Sequence, residues 1–211
     1  MYQLYMTYRT AAMSTHAALE ELGAKHTLHL IDLSKPRPAE FLLLNPQGKV
    51  PVLIHDTGAE CRVIFQSAAC LLYLAEQHPD SKLAPPAGTP GRALVYQWLF
   101  YMAESLQAPF LTYFYTDRFT ADSQGLAGVK VKAIDNIDAA WTQLDKALAR
   151  GPYFLGDTYS IADLYMLTFA TWHKDEMKPL SAYPNVRRNL ELVAKRPGVR
   201  RMLDAHAVTT L

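Results

Sequence analysis

Gln66 and Ser67 stand between a predicted strand and a predicted helix, where polar groups can bind an anion. Residues 62–65 read as the strand, and the apolar run 68–74 reads as a buried helix. The first N–H groups of a helix lack intrahelical partners, and the helix dipole adds positive potential there. A serine hydroxyl beside those N–H groups suits a carboxylate. The same pattern also fits a hairpin whose following helix is simply capped by Ser67.

A turn and a short strand come before this pair. Residues 45–48 suit a loop, because the proline there fixes φ and the glycine permits a positive φ. Residues 50–54 read as a buried strand, and Pro51 must lie at its start because proline cannot donate to a sheet ladder. A hairpin turn at 56–58 leads into the return strand.

The other polar residues form no catalytic or metal-binding motif. His26 and His29 are predicted on opposite sides of a strand, and His16 reads as a packed or surface residue of a helix. Cys61 and Cys70 lie in no Cys-x-x-Cys spacing and are predicted to be reduced core thiols. No glycine-rich phosphate loop is present, and no metal is expected.

Composition argues against several classes of protein. The formal net charge of +1 provides no strong field to attract nucleic acid or an anionic membrane. Hydrophobic residues make up 50% of the 211 positions, enough for a sizeable core. No apolar run of about 18 residues predicts a membrane span, and the N-terminus lacks the apolar core of a secretion signal. We therefore expect a cytoplasmic protein with no nucleic-acid or membrane partner.

Strand and helix signals alternate in the first part of the chain. Strands are predicted at 3–6 and 27–31, and helices at 11–22 and 39–44. Gly23 ends the first helix, where a left-handed conformation is needed. A strand, a helix and a strand joined by short connections imply a parallel pair with a right-handed crossover. With the hairpin and the helix that follows it, this order predicts a thioredoxin-like α/β domain over residues 1–80.

Strand signals vanish after residues 81–91, a segment rich in proline and glycine that is predicted to be a linker. Residues 92–211 are predicted to form an all-α domain. Its helices are predicted at 93–114, 126–148, 160–172, 186–195 and 199–206. Phe100 and Gln107 share one face of the first of these helices, and Pro109 is expected to kink it.

Four segments resemble the glutathione S-transferase family in order and spacing. They are HAALEELG at 16–23, NPQGKVPVL at 45–53, the Gln66-Ser67 pair, and FLGDTYSIADLYMLT at 154–168. The runs WLFYMAESLQAPF at 98–110 and AKRPGVRRML at 194–203 look most like the bacterial beta class. The resemblance implies the glutathione transferase fold, in which a thioredoxin-like domain binds glutathione and an all-α helical domain supplies an apolar pocket. In this family Ser160 and Asp163 are folding elements.

The resemblance also implies a glutathione site. The proline at the place of Pro51 follows a cis bond in this family, and the backbone of Val50 would pair with the peptide part of glutathione. Ser67 would bind the γ-glutamyl carboxylate, and Gln66 would support the ammonium group. Lys35 matches a glutathione-contacting lysine of the family.

The chain departs from the beta class at its catalytic positions. The family cysteine falls on Ala11, and the histidine of the fourth helix falls on Gln107, which stays in the expected glutathione-binding set. The asparagine that reaches the partner's glutathione falls on Phe100. A transferase must still favour the thiolate, and a hydroxyl donor near a helix N-terminus can do so. Thr10 and Tyr8 are the candidates, although Thr10 also reads as a plain helix cap and Tyr8 as a loop aromatic.

These features predict a glutathione transferase that conjugates the glutathione thiolate to a small hydrophobic electrophile. A homodimer is expected, with the N-terminal domain of one subunit against the helical domain of the other. Two alternatives remain: a glutathione-dependent reductase or peroxidase, and a non-catalytic glutathione-binding or regulatory protein. An aromatic cluster reads either as a substrate wall or as core: Tyr113, Phe114, Tyr115 and Phe119.

Overall fold

The computed structural model describes residues 1–209. The first part of the chain forms a 4-stranded sheet with helices on both faces. The strands are β1 (Tyr2–Met6), β2 (His26–Leu30), β3 (Val52–Asp56) and β4 (Cys61–Phe65). Their order is β2-β1-β3-β4; β1 and β2 are parallel, and the other two pairs are antiparallel. The helix α1 (Ala12–Glu21) connects the parallel pair, as the sequence predicts.

Side chains of β1 alternate between two helical layers, because successive residues of a strand point to opposite faces. Leu4 and Met6 are buried in the main core with α1 and α3 (Ser67–Gln77). On the other face, Tyr5 packs against Phe41 of α2 (Ala39–Leu44), with ring centroids 5.8 Å apart. This arrangement is the expected thioredoxin-like layer order.

The predictions for Gly23 and for the two cysteines differ in their outcome. Gly23 follows α1 with a φ of +59°, the left-handed conformation that was predicted for it. Cys70 is a buried free thiol, but the prediction that Cys61 is a core thiol is wrong. Cys61 begins β4, which is an edge strand, and this position leaves its side chain exposed.

The rest of the described chain is helical. Its α-helices are α4 (Pro90–Met102), α5 (Ala108–Phe114), α6 (Leu126–Ala147), α7 (Ile161–Ala170), α8 (Pro184–Ala194) and α9 (Pro197–Ala205). The side chain of Thr89 caps α4 by accepting from Arg92 N, so the last two residues of the predicted linker are helical. No helix between residues 1 and 209 is both long enough and apolar enough to span a membrane.

The predicted kink at Pro109 takes the form of a widened helical turn upstream of the proline. A π-helical segment, Ala103–Gln107, joins α4 to α5 without a break. Proline has no N–H, so the turn before it cannot complete its ordinary pattern of hydrogen bonds. Widened turns of this kind accommodate such a mismatch and often occur at functional sites.

The helix α7 lies at the centre of the molecule, and all ten of its residues are buried. It begins with the predicted capping box, in which Ser160 caps the helix and the Asp163 carboxylate accepts from Ser160 N at 2.8 Å. α7 packs against α1 and α3 of the sheet domain and against α4 and α8. The two parts of the chain therefore share one core, and their surfaces form a crevice beside the sheet.

Candidate functional site

A cavity of about 390 Å³ lies where the sheet domain meets α4, α5 and the π-helical segment. Its sheet side includes Gln47, Lys49, Val50, Pro51, Gln66 and Ser67. Its helical side includes Phe100, Glu104, Gln107 and Leu111. The cavity therefore brings together five of the predicted glutathione-binding residues, four from the sheet domain and Gln107 from the helical part.

The loop that carries Gln47 and Lys49 is held by the buried side chain of Asn45. Asn45 Nδ2 donates to Lys49 O at 2.7 Å, and Asn45 Oδ1 accepts from Gln47 N at 3.1 Å. Gly48 has a φ of +63°, and a Cβ at this position would lie 3.0 Å from Arg37 Cγ. The side chains of Gln47 and Lys49 thus leave from a fixed backbone.

Val50 and Pro51 lead from this loop into the sheet. The bond between them is cis, which confirms the prediction. The sheet ladder of β3 begins at Val52, which pairs with Tyr5 and Phe65. Val50 lines the cavity ahead of the ladder, so its backbone N–H and C=O lie outside the hydrogen-bonding pattern of the sheet. An extended peptide has room to pair at this point.

Gln66, rather than Ser67, occupies the N-cap of α3, and neither side chain makes a capping hydrogen bond. Gln66 has a φ of +75°, which turns the chain sharply from β4 into the helix. The first intrahelical bond runs from Cys70 N to Gln66 O at 2.9 Å, so the N–H groups of residues 67–69 have no helical partner. The alternative in which Ser67 serves only as a helix cap is therefore wrong.

The hydroxyl of Ser67 reaches the helical domain through Tyr165. Ser67 Oγ donates to the Tyr165 hydroxyl at 3.4 Å, and Tyr165 donates in turn to Gln107 Oε1 at 2.5 Å. Burial raises the pKa of Tyr165 to about 12, so this phenol stays a neutral donor. The side-chain oxygen of Gln107 accepts this hydrogen bond from Tyr165, so the two N–H donors of its amide group are available to a ligand in the cavity.

Neither predicted thiol-activating hydroxyl lies on the cavity wall. Thr10 Oγ1 donates to Thr7 O at 2.7 Å and accepts weakly from Ala12 N at 3.4 Å, so a local turn already uses it. Tyr8 is 48% exposed, and its ring packs edge-on against His206. The neighbouring residue Ala11 does line the cavity, but its side chain cannot donate a hydrogen bond.

Lys35 also lies away from the cavity lining. Its side chain is 75% exposed and pairs with Asp32 at 3.1 Å. Lys49 instead supplies the cation on the cavity wall. The sequence analysis missed this lysine, although it lies inside the NPQGKVPVL segment. Glu104 was also missed, and the signal for it was its position one turn from both Phe100 and Gln107, which share a face.

The aromatic cluster near the end of α5 does not line the cavity. Tyr113 is buried, and its hydroxyl donates to Glu176. Phe114 packs edge-on against Tyr113 and against Trp172. Of the two interpretations left open by the sequence, core packing is therefore correct for Tyr113. The apolar wall of the cavity comes from Phe100 and Leu111 instead.

Comparisons with known proteins find relatives over both parts of the chain. The family model for the glutathione S-transferase N-terminal domain matches residues 10–77, and the model for the C-terminal domain matches residues 104–206. The glutathione S-transferase GstA of Escherichia coli O157:H7 is 26% identical over 98% of this chain and 99% of its own length. The disulfide-bond oxidoreductase YfcG of Escherichia coli K12 is 29% identical over 88% of this chain and 86% of its own.

Solved structures show the same likeness. A bacterial beta-class glutathione S-transferase from Sphingomonas chungbukensis is 28% identical, with a TM-score of 0.84 over 98% of this chain and 100% of its own. A sphingomonad glutathione S-transferase in complex with glutathione is also 28% identical, with a TM-score of 0.83 over 98% and 100% of the two chains. The chain belongs to the glutathione S-transferase family.

Proposed function

We propose that this protein binds glutathione in the cavity and transfers its thiolate to a small hydrophobic electrophile. The observation that carries this proposal is the meeting of three complementary features in one cavity. These features are a backbone edge ahead of β3, the unpartnered N–H groups at the start of α3, and an apolar wall on the helical side.

The sheet side would hold the tripeptide. The backbone N–H and C=O of Val50 would pair with the cysteinyl unit as an added strand does, with Pro51 shaping the approach. The Ser67 hydroxyl would turn its only proton from Tyr165 to the γ-glutamyl carboxylate, beside the N–H groups at the start of α3, where the helix dipole favours an anion. Gln66 would accept from the ammonium group. Lys49 already lies on the wall, whereas Lys35 would have to leave Asp32 to reach the ligand.

The helical side would hold the sulfur and the electrophile. Conjugation requires loss of the thiol proton to solvent, attack of the thiolate on an electrophilic carbon, and departure of a leaving group or protonation of the adduct. The amide N–H groups of Gln107 would favour the thiolate by donating to it. Phe100 and Leu111 would pack against an apolar electrophile. Thr10 and Tyr8 are weaker candidates for thiol activation, because a local turn uses the first and the second packs outside the cavity.

The two alternative functions differ in what they demand of the chain. A reductase that forms a mixed disulfide needs a reactive cysteine beside the glutathione sulfur, and the position that the resemblance implies for it is Ala11, which lines the cavity. Cys70 cannot take that part, because burial raises its pKa to about 12, and Cys61 does not line the cavity. A binding or regulatory protein would need only the glutathione site, and the alanine at this position favours it as the second candidate.

We also propose that the protein forms a homodimer, with the sheet domain of one subunit against the helical domain of the other. Two surfaces support this arrangement. Val63 and Phe65 on the edge strand β4 are exposed large hydrophobics, and so is Phe100 on α4, which is 62% exposed. A mass of a single chain from light scattering at micromolar concentration would contradict the proposal.

Calorimetry with glutathione, followed by initial rates on a panel of aryl halides, epoxides and unsaturated carbonyls, tests the function. Binding together with turnover supports the transferase. Binding without turnover on any electrophile would favour the regulatory alternative. No binding by the folded protein would show that the cavity is not a glutathione site.

A further inference from the structure

A second group of chemically active side chains lies where the end of α1 meets the start of β2. His16 and Glu20 lie one turn apart on α1, and His26 is the first residue of β2. Glu20 Oε1 is 3.7 Å from His16 Nε2 and 3.6 Å from His26 Nε2, and the three ligand atoms lie within 4.8 Å of one another. None of these residues lines the cavity described above.

The remaining polar atoms of His26 and Glu20 have partners that orient them. His26 Nδ1 lies 2.8 Å from Ala24 O, so Nδ1 carries the proton and Nε2 keeps its lone pair. Glu20 Oε2 accepts from Arg201 Nε, which leaves Oε1 turned toward the two imidazoles. Ligand residues in protein metal sites are held in this way by a second layer of hydrogen bonds.

His16 is oriented by His206, which lies on the far side of its ring. His16 Nδ1 is 3.1 Å from His206 Nε2, and His206 Nδ1 accepts from Arg9 N at 3.0 Å. His206 therefore carries its proton on Nε2 and donates to His16 Nδ1. The proton of a neutral His16 then lies on Nε2, facing Glu20.

We propose that His16 Nε2, Glu20 Oε1 and His26 Nε2 bind one divalent zinc-class ion. Two imidazole nitrogens and a carboxylate oxygen are ligands that zinc accepts, whereas magnesium and calcium prefer oxygen alone. In a tetrahedral zinc site with bonds of about 2.1 Å, ligand atoms lie roughly 3.4 Å apart. Glu20 Oε1 is already near that distance from both imidazoles, and the two histidine nitrogens, which lie within 4.8 Å of each other, would move closer together. Glu20 and His26 are partly exposed, which gives the ion access and leaves a position for water.

The hydrogen bonds around His16 predict a structural signature of this binding. The ion takes the place of the proton on His16 Nε2, and a neutral His16 must then carry its proton on Nδ1 and donate to His206 Nε2. His206 in turn carries its proton on Nδ1 and can no longer accept from Arg9 N. No proton is lost from the pair, but the Arg9 amide loses its acceptor. Metal binding therefore opposes the Arg9–His206 bond.

No sequence motif indicates this site. The i, i+4 pair on α1 has no third ligand nearby in the same helix, and the tight connection from α1 to β2 supplies His26. The site joins α1 to β2 directly and reaches the last helix, α9, through Arg201. A bound ion would therefore stabilise the contact between the sheet domain and the C-terminal helix.

The test is a zinc titration of untagged, chelator-treated protein, monitored by calorimetry. Glutathione is omitted, and every protein tested carries Cys61→Ser, because the glutathione thiol and the exposed Cys61 thiol would each bind zinc. We expect one ion per chain and a melting temperature that rises with zinc concentration. His26→Gln should weaken binding on the order of 100-fold. The matched control, His29→Gln on the same strand, should leave the zinc dissociation constant unchanged.

Two spectroscopic measurements distinguish a specific metal site from nonspecific adsorption of the ion. Cobalt substitution should produce the visible absorption of a tetrahedral ion, and zinc should increase hydrogen exchange at the Arg9 amide. Absence of stoichiometric binding, or a zinc dissociation constant that is the same in folded His26→Gln, would overturn the proposal. Neither result depends on glutathione binding or on transferase activity.

Discussion

The hydroxyl of Tyr165 donates to Gln107 Oε1 at 2.5 Å and so joins the buried helix α7 to the turn that lines the cavity. Tyr165 is buried and does not line the cavity itself. Its bond sets which end of the Gln107 amide is left for a ligand. A residue inside the core thus determines that the cavity wall presents N–H donors at this point.

The first prediction concerns this amide. Gln107→Leu should lower kcat/KM for conjugation roughly 10- to 100-fold, the loss expected for one hydrogen bond to an ion. The pKa of the thiol of bound glutathione should rise, as measured by the ultraviolet absorption of the thiolate. Gln97→Leu is the matched control, because Gln97 lies on α4, which continues into the segment of Gln107, and does not line the cavity. Equal loss in both variants would mean that Gln107 acts only through the fold.

The second prediction concerns the start of α3. Ser67→Ala should raise the glutathione dissociation constant about tenfold, because one donor to the carboxylate is lost while the backbone N–H groups remain. Calorimetry on the folded variant measures this change. Ser181→Ala, an exposed serine of the helical domain, should bind glutathione as the unaltered protein does. An unchanged constant in Ser67→Ala would place the carboxylate elsewhere.

How far the sequence predicts this molecule depends on whether the determinant is local. The left-handed Gly23 and the capping box at Ser160 are decided within a few residues, and both were predicted. The cavity was predicted only in part: Gln107 and Ser67 were both expected there, but not the link between them through Tyr165, which is 98 positions from Ser67 along the chain. Such distances arise from packing between helices, which leaves no periodic signal in the sequence.

Thiol activation shows the same limit. Thr10 is a good donor by residue type, but its hydroxyl turns back to Thr7 O, because a threonine beside a helix start readily bonds its own backbone. Residue type identified the donor, whereas only the geometry of the turn shows where the proton points. The sequence therefore predicted the family and the fold better than it predicted the thiol-activating group.

The third prediction concerns stability. Asp163 accepts from Phe154 N, Asn189 Nδ2 and Ser160 N, at 3.1, 2.8 and 2.8 Å. Asp163→Asn keeps one accepting oxygen but places an N–H₂ group against the donors of the other, so the free energy of unfolding should fall by about 3 kcal/mol. Burial raises the pKa of Asp163 to about 6, so urea unfolding is measured at pH 7.5, where the carboxylate is ionised.

Asp157→Asn, in the exposed loop just before the capping box, is the control for this stability change. It should change the free energy of unfolding by less than about 0.5 kcal/mol, the usual range for a surface substitution. Similar losses in the two variants would show that the buried carboxylate has no special part in starting α7.

The last prediction concerns acid sensitivity. Burial lowers the pKa of His173 below its usual 6.5, although Asp138 and Asp175 act in the opposite direction. The unfolded chain therefore takes up a proton at a higher pH than the folded chain, and the stability contributed by the neutral imidazole is lost as pH falls through 6.5. One proton limits this slope to about 1.4 kcal/mol per pH unit. Unfolding free energies measured from pH 7.5 to 5.5 should fall less steeply in His173→Gln than in the unaltered protein. Parallel pH profiles would show that His173 titrates alike in the folded and unfolded chains.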